Sequence, residues 1–121
     1  MAVARGIVLL AHGSRDPLWR QPMERVATRM GERDANIFVT CAYLELTQPD
    51  LATAIAHLLA QGARSIGVVP MFLGVGHHVR EDLPRLIAHV EALHPHVDLT
   101  LRPAIGEDSR MVDLMAQIAL S

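Results

Sequence analysis

Three of the seven histidines in this 121-residue chain stand in two short segments whose residue types suit chemistry. In LLAHGSRDP (9–17) an aliphatic run ends at Ala11 and delivers His12, Gly13 and Ser14 into a turn. In LGVGHHVRED (73–82) a second aliphatic run ends, two glycines intervene, and His77 and His78 follow. Between them, YLELTQPDL (43–51) places Glu45 just after a third apolar run. Neutral imidazole accepts a proton near pH 7 and is a borderline ligand for divalent transition metals. A facing pair of imidazoles with a nearby carboxylate serves either task. Two histidines and a carboxylate leave coordination positions open, which suits transient binding better than a closed structural site. Gly13, Gly74 and Gly76 let the backbone come close to a bulky flat ligand.

Each residue also has a plainer reading. His12 alone reads equally as a turn histidine that caps a helix or bonds a carbonyl. The GHH triplet reads equally as an exposed polar loop, and adjacent histidines cannot both point the same way. His57, His89, His94 and His96 fall on polar helical positions or around an HPH turn and read as solvated surface. Cys41 reads as a core residue of its strand, and the methionines fall at core spacing. Other motifs fail on inspection. GVG lacks the rest of a dinucleotide fingerprint, and no phosphate-loop Gly-Lys-Ser/Thr exists. AHGS has no accompanying Gly-x-Ser-x-Gly elbow, and Ala11 stands where a histidine phosphatase needs arginine.

The elements that must position these residues follow from periodicity. Apolar runs at 6–11, 36–44, 64–73 and 97–104 read as strands, the first and third continuous as in parallel strands covered on both faces. Helical spacing appears at 18–33 (Met23, Val26, Ala27, Met30), 48–61 (Leu51, Ile55, Leu58, Leu59), 82–94 (Leu83, Leu86, Ile87, Val90, Leu93) and 108–119 (Met111, Leu114, Met115, Ile118). Thr47 is the expected N-cap of the second helix, with Pro49 and Asp50 in its first turn and Gly62 past its end. Pro84 is expected in the first turn of the third. Strand–helix alternation predicts one α/β domain over 1–121: a four-stranded parallel sheet with right-handed crossovers in a small doubly wound fold. Ligands of such sheets sit outside the carboxyl ends of the strands. The turns after 11, 44, 73 and 102 are therefore singled out. If strands one and three are neighbours, in flavodoxin-like order, His12 and one of His77 and His78 face each other across a cleft.

The bulk composition narrows the classes. Half the residues are hydrophobic, a fifth are charged, and the net charge is −2. No basic run or aromatic interleaving suggests nucleic acid, and the four aromatics (Trp19, Phe38, Tyr43, Phe72) make a base-stacking surface improbable. One cysteine permits no intrachain disulfide and suits a reducing compartment, expected to be the cytoplasm. The opening MAVARGIVLLAHG is too short in its apolar part for a signal peptide or a membrane span.

Taken together and in order, LLAHGSRDP, YLELTQPDL and VPMFLGVGHHVREDLP resemble the CbiX/SirB-type (class II) chelatases, over about residues 6 to 119. The length resembles the short, single-domain form of that family. The resemblance implies a chelatase-like three-layer α/β/α fold and a homodimer equivalent to the two-domain enzymes. It implies insertion of Co²⁺, Fe²⁺ or Ni²⁺, as substrate, into sirohydrochlorin, a tetrapyrrole bearing eight carboxylates, with no organic cofactor and no membrane or nucleic-acid partner. The product feeds cobalamin- or sirohaem-type cofactors. His12 matches the family's first histidine, a metal ligand and proton acceptor. The second matches His78, with His77 as runner-up, and Glu45 matches the acidic residue after strand two. Leu73, Gly74, Val75, Gly76 and His77 match the segment lining the macrocycle. Ser14, Arg15 and Arg80 lie in turns suited to substrate contact, the arginines toward its carboxylates, and Arg102 is a weaker candidate. A non-catalytic metal or tetrapyrrole carrier using the same pocket is the alternative, and turnover separates the two.

Overall fold

A computed structural model describes residues 4–121. Residues 1–3, part of the opening stretch discussed above, lie outside them. The chain runs β1 (Arg5–Ala11), α1 (Gln21–Arg33), β2 (Phe38–Tyr43), α2 (Leu51–Gln61), β3 (Ser65–Pro70), α3 (His77–Leu93), β4 (Asp98–Leu101), a 3₁₀ turn (Ile105–Glu107) and α4 (Ser109–Leu120). All strand pairings are parallel and the order is β2-β1-β3-β4, so the predicted flavodoxin-like adjacency of the first and third strands is present. Leu9 of β1 lies between Cys41 of β2 and Val69 of β3, which brings the carboxyl ends of the three strands to one edge.

β1 and β3 read as uninterrupted apolar runs because both of their faces are covered. On one face, Val8, Leu10, Ile66 and Val68 pack against Leu51, Ile55 and Leu58 of α2 and Leu83, Ile87 and Val90 of α3. On the other, Ile7, Leu9 and Val69 meet Met23, Ala27 and Met30 of α1. Val8, Leu10, Ile55, Leu58, Val68 and Val90 are fully buried. Each such side chain contributes about 1.5–3 kcal/mol of transfer free energy. Cys41, expected in the core, is only half-buried on β2, an edge strand.

Several local expectations shift. The N-cap of α2 is Asp50, whose carboxylate accepts the Thr53 N–H at 2.8 Å, and not Thr47. Gly62 closes α2 in the left-handed conformation, as expected. α1 begins only at Gln21, because Ser14 and Asp16 accept the Asp16 and Leu18 N–H groups and hold 14–18 in tight turns. α3 begins five residues before its periodic stretch, at His77. Pro84 therefore stands in the helix interior, where it withholds the N–H that would reach the Arg80 carbonyl. The apolar stripe of α4 is only partly covered by the described residues: Met111 and Met115 are half-buried, Leu114 and Ile118 are 47 % and 62 % exposed, and the packing of α4 is chiefly on the 3₁₀ turn before it. Val26 and Leu93, also expected to face inward, are exposed at the margins of their helices.

Candidate functional site

β1 and β3 are joined through helices on opposite sides of the sheet, so the crevice at their carboxyl ends is the topological switch point where α/β sheets bind ligands. His12 follows β1 directly. Its carbonyl accepts two N–H groups from the loop after β2, those of Leu44 at 3.0 Å and Glu45 at 2.9 Å. Gly13, at φ +114°, lies so close to that loop that a Cβ would fall 1.7 Å from the Glu45 carbonyl oxygen. No other residue fits there. One step on, the Ser14 N–H donates to Thr47 Oγ1 (3.0 Å) and the Thr47 hydroxyl donates to the Ser14 carbonyl (2.7 Å). The two loops are thus laced together, and Glu45, exposed, is carried beside the His12 backbone. Thr47 leaves the helix cap to Asp50 because its hydroxyl is already committed to Ser14. Between Glu45 and Thr47, Leu46 adopts φ +62° in a three-residue turn closed by the Thr47 N–H on the Glu45 carbonyl (2.7 Å), and its side chain is exposed.

The other wall comes from β3. The His12 ring stacks on Phe72, with centroids 4.3 Å apart and planes at 30°. Leu73, Gly74 and Gly76 follow as an exposed segment, Leu73 at 72 % exposure, with Val75 half-buried against the core. Gly76 then caps α3 without a side-chain acceptor, and the first bond inside the helix is that from the Arg80 N–H to the Gly76 carbonyl (2.9 Å). The N–H groups of residues 77–79 therefore project from the helix end, a setting that favours anions. His77 and His78 stand in this first helical turn, not in the loop expected for them. His77 Nε2 lies 3.3 Å from Glu81 Oε1, while the His78 ring meets the His77 ring edge-on at 5.8 Å.

The remaining predicted residues separate. Ser14 Oγ accepts the Asp16 N–H (3.1 Å), a local turn contact. Arg15, Arg80 and Arg102 are exposed and in no ion pair among the described residues. Arg80 and Arg102 line a common cleft of about 230 Å³ with Val75 and Glu107, behind the 73–76 segment. A larger groove, about 560 Å³, lies at the opposite edge of the sheet beside Arg64, His94 and His96, and shares no residue with these loops. Among the described residues, no three His, Cys, Asp or Glu side chains are grouped closely enough to hold a metal ion together. Tyr43, at the end of β2, is no proton acceptor near neutrality: burial, then the neighbouring Cys41 and Glu24, push its phenol up to about 12. Burial likewise raises the Cys41 thiol.

Sequence reasoning passed over Leu46, the lacing role of Thr47, and Phe72. Phe72 closes an apolar run and carries no signal beyond core packing. Gly106 is a fourth omission: its N–H donates to the Phe72 carbonyl at 2.9 Å, and a Cβ there would lie 2.2 Å from the Leu73 carbonyl oxygen.

Comparison with known proteins places these features. A sirohydrochlorin cobaltochelatase of Methanocaldococcus jannaschii is 30 % identical, over 90 % of this chain and 93 % of its own. The crystal structure of a putative cobalamin (vitamin B12) biosynthesis CbiX protein from Marinobacter aquaeolei superposes with a TM-score of 0.82 at 34 % identity, over 96 % of this chain and 94 % of that one. SirB from Bacillus subtilis, solved with Fe³⁺, superposes with a TM-score of 0.79 at 26 % identity; 95 % of this chain corresponds to 46 % of that larger one. The family model CbiX matches residues 6–120, and the chain belongs to the CbiX family.

Proposed function

We infer that this protein inserts a divalent metal ion into sirohydrochlorin. The observation that carries the reading is His12 at the β1–β3 switch point, tied through its own carbonyl to the Glu45 loop, with the two histidines of α3 following on the next strand. The family relatives named for cobalt insertion support it. Chelation exchanges two pyrrole N–H protons for one M²⁺, so the site must hold the ion, orient the ring and accept two protons. His12 and His78 present the ion through neutral imidazole nitrogen and take up protons as it leaves; Glu45 assists as base. His78 ranks above His77 because it takes the family's histidine position, directly before Val79, while His77 takes the variable slot. Leu73, Gly74, Val75 and Gly76 line one face of the macrocycle, and exposed Leu46 adds apolar surface from the opposite loop. Arg15, Arg80 and the open N–H groups of α3 receive its carboxylates, with Ser14 at the margin.

The ion is a substrate: Co²⁺ or Fe²⁺, with Ni²⁺ also compatible with the same donors. The protein works in the cytoplasm as a homodimer joined through the partly exposed stripe of α4. No described helix is long and apolar enough to cross a membrane. The test is anaerobic insertion into sirohydrochlorin, followed by absorbance with each of the three metals and corrected for the spontaneous rate. His12→Ala and His78→Ala each lose about 10²–10⁴-fold in turnover, the range for positioned acid–base groups. His77→Ala retains most of it. Wild-type rates in both of the first two variants would refute the assignment, and a single equivalent bound without turnover would point to a carrier.

A further inference from the structure

We propose that Phe72 is the positioning residue of His12, setting the plane of the imidazole by ring stacking where a hydrogen bond would ordinarily do so. This rests on the reading of His12 as the residue that presents the metal.

A histidine that binds metal usually donates its second ring nitrogen to a carboxylate or carbonyl, which fixes the ring. Among the described residues, neither ring nitrogen of His12 makes such a bond, and the residue is exposed. Its orienting contact is the face of Phe72 at 4.3 Å. Stacking constrains the plane and leaves both nitrogens open. That is what a residue needs if it must hold an ion and then accept a proton.

The platform itself is fixed from three sides. Phe72 is 5 % exposed and belongs to the core beneath α2 and α3. Its predecessor Met71 donates to the Leu10 carbonyl at 2.7 Å, joining the end of β3 to β1. Its own carbonyl accepts the Gly106 N–H at 2.9 Å, and Gly106 packs so tightly on Leu73 that no side chain fits between them. The 3₁₀ turn after β4 therefore holds the backbone whose aromatic ring orients His12.

Two substitutions separate a flat platform from simple core filling. Phe72→Leu keeps an apolar, buried side chain but removes the flat face; Phe72→Tyr keeps the face. Insertion kinetics with Co²⁺ are measured against both substrates, alongside melting temperature and binding of metal-free sirohydrochlorin by absorbance. Phe72→Leu is expected to lower kcat and raise the KM for Co²⁺ by about 10-fold or more, the usual scale for losing a ligand's orienting partner. Its sirohydrochlorin binding stays within about 2-fold of wild type, a change too small to reflect a lost contact. Phe72→Tyr retains most of the activity. If the leucine variant does not fold, Phe72→Met, which fills irregular space better, takes its place. Equal behaviour of the flat and non-flat variants, or parallel loss toward metal and tetrapyrrole, overturns the proposal while leaving His12's role intact. Wild-type turnover in His12→Ala overturns both.

Discussion

Gly13→Ala isolates what the lacing between the first two loops is worth, because the fold supplies its own control. Gly13 and Gly62 have nearly the same backbone, φ +114° and +112°, but only Gly13 is crowded; nothing lies within 4 Å of a Cβ built on Gly62. Gly62→Ala therefore measures the backbone term alone, about 1–2 kcal/mol for a left-handed L-residue. Gly13→Ala carries that term and a collision with the Glu45 carbonyl oxygen at 1.7 Å, where ordinary contact needs 3.4–4 Å. The loops must separate by more than an ångström. Such a shift breaks the bonds from Leu44 and Glu45 to the His12 carbonyl and strains the reciprocal Ser14–Thr47 pair. At about 1 kcal/mol net for each lost bond, the extra cost is about 2–3 kcal/mol and the total about 3–5. A domain with 5–15 kcal/mol of stability survives this at roughly its lower bound. Urea unfolding of the two variants beside wild type gives both values, provided the m-values agree. Insertion activity should fall in Gly13→Ala and stay at the wild-type level in Gly62→Ala, since Glu45 moves only in the first. Equal destabilisation of the two variants, within about 0.5 kcal/mol, would refute the reasoning, because additivity errors are of that size.

Two further predictions concern α4. With Leu114 and Ile118 exposed on one face of α4, the chain is expected to sediment as a dimer through this stripe, and Ile118→Asp to yield monomer without loss of helical circular dichroism; an unchanged sedimentation coefficient would exclude the stripe as the interface. Asp108 caps the same helix, accepting the Arg110 N–H at 2.9 Å and the guanidinium at 3.0 and 2.8 Å, and these bonds lower its carboxyl to about 2. Since the folded value lies below the unfolded value of about 3.9, the cap stabilises above roughly pH 4 and is lost as the pH falls toward 2. Carboxyl ¹³C titration should place the Asp108 midpoint near 2 and return it toward the ordinary value in Arg110→Ala; an ordinary midpoint in the wild type would refute the capping geometry.

The layers of this fold were legible where burial alone decides the residue type. The unbroken apolar character of β1 and β3 marked them as strands covered twice, and Leu51, Ile55 and Leu58 marked the inner face of α2. Gly62 announced the end of that helix because its backbone requirement is local. What could not be read depended on partners distant in sequence. Thr47 has the chemistry of a cap, and a hydroxyl 33 residues from Ser14 gives no hint that it is spoken for. α4 shows a clean apolar stripe, yet periodicity says only that something covers it and not whether the same chain does. The start of α3 was hidden because Gly-His-His lacks a side-chain cap, so a helix end stripped of its usual marker looks like loop.

The same distinction runs through the candidate site. Residue types nominated His12, Glu45 and the His77–His78 pair, but their relation to one another is set by backbone. Once the pair lies on a helix, successive side chains diverge by about 100°, so one fold position cannot serve both. His77 shares its side of α3 with Glu81, one turn on, and rests against it at 3.3 Å. His78 turns away from that carboxylate. The doubled histidine therefore separates into a residue paired with a carboxylate and a residue in no ion pair among the described residues. Helical phase separates the two, which a loop would not have done, and the match of His78 to the family motif ranks them. In the same way, the tolerance of the site for change should follow its backbone contacts and not its list of functional groups. Gly13 and Gly106 carry no chemistry, yet each fills a space too small for a methyl group, the first against Glu45 and the second against Leu73.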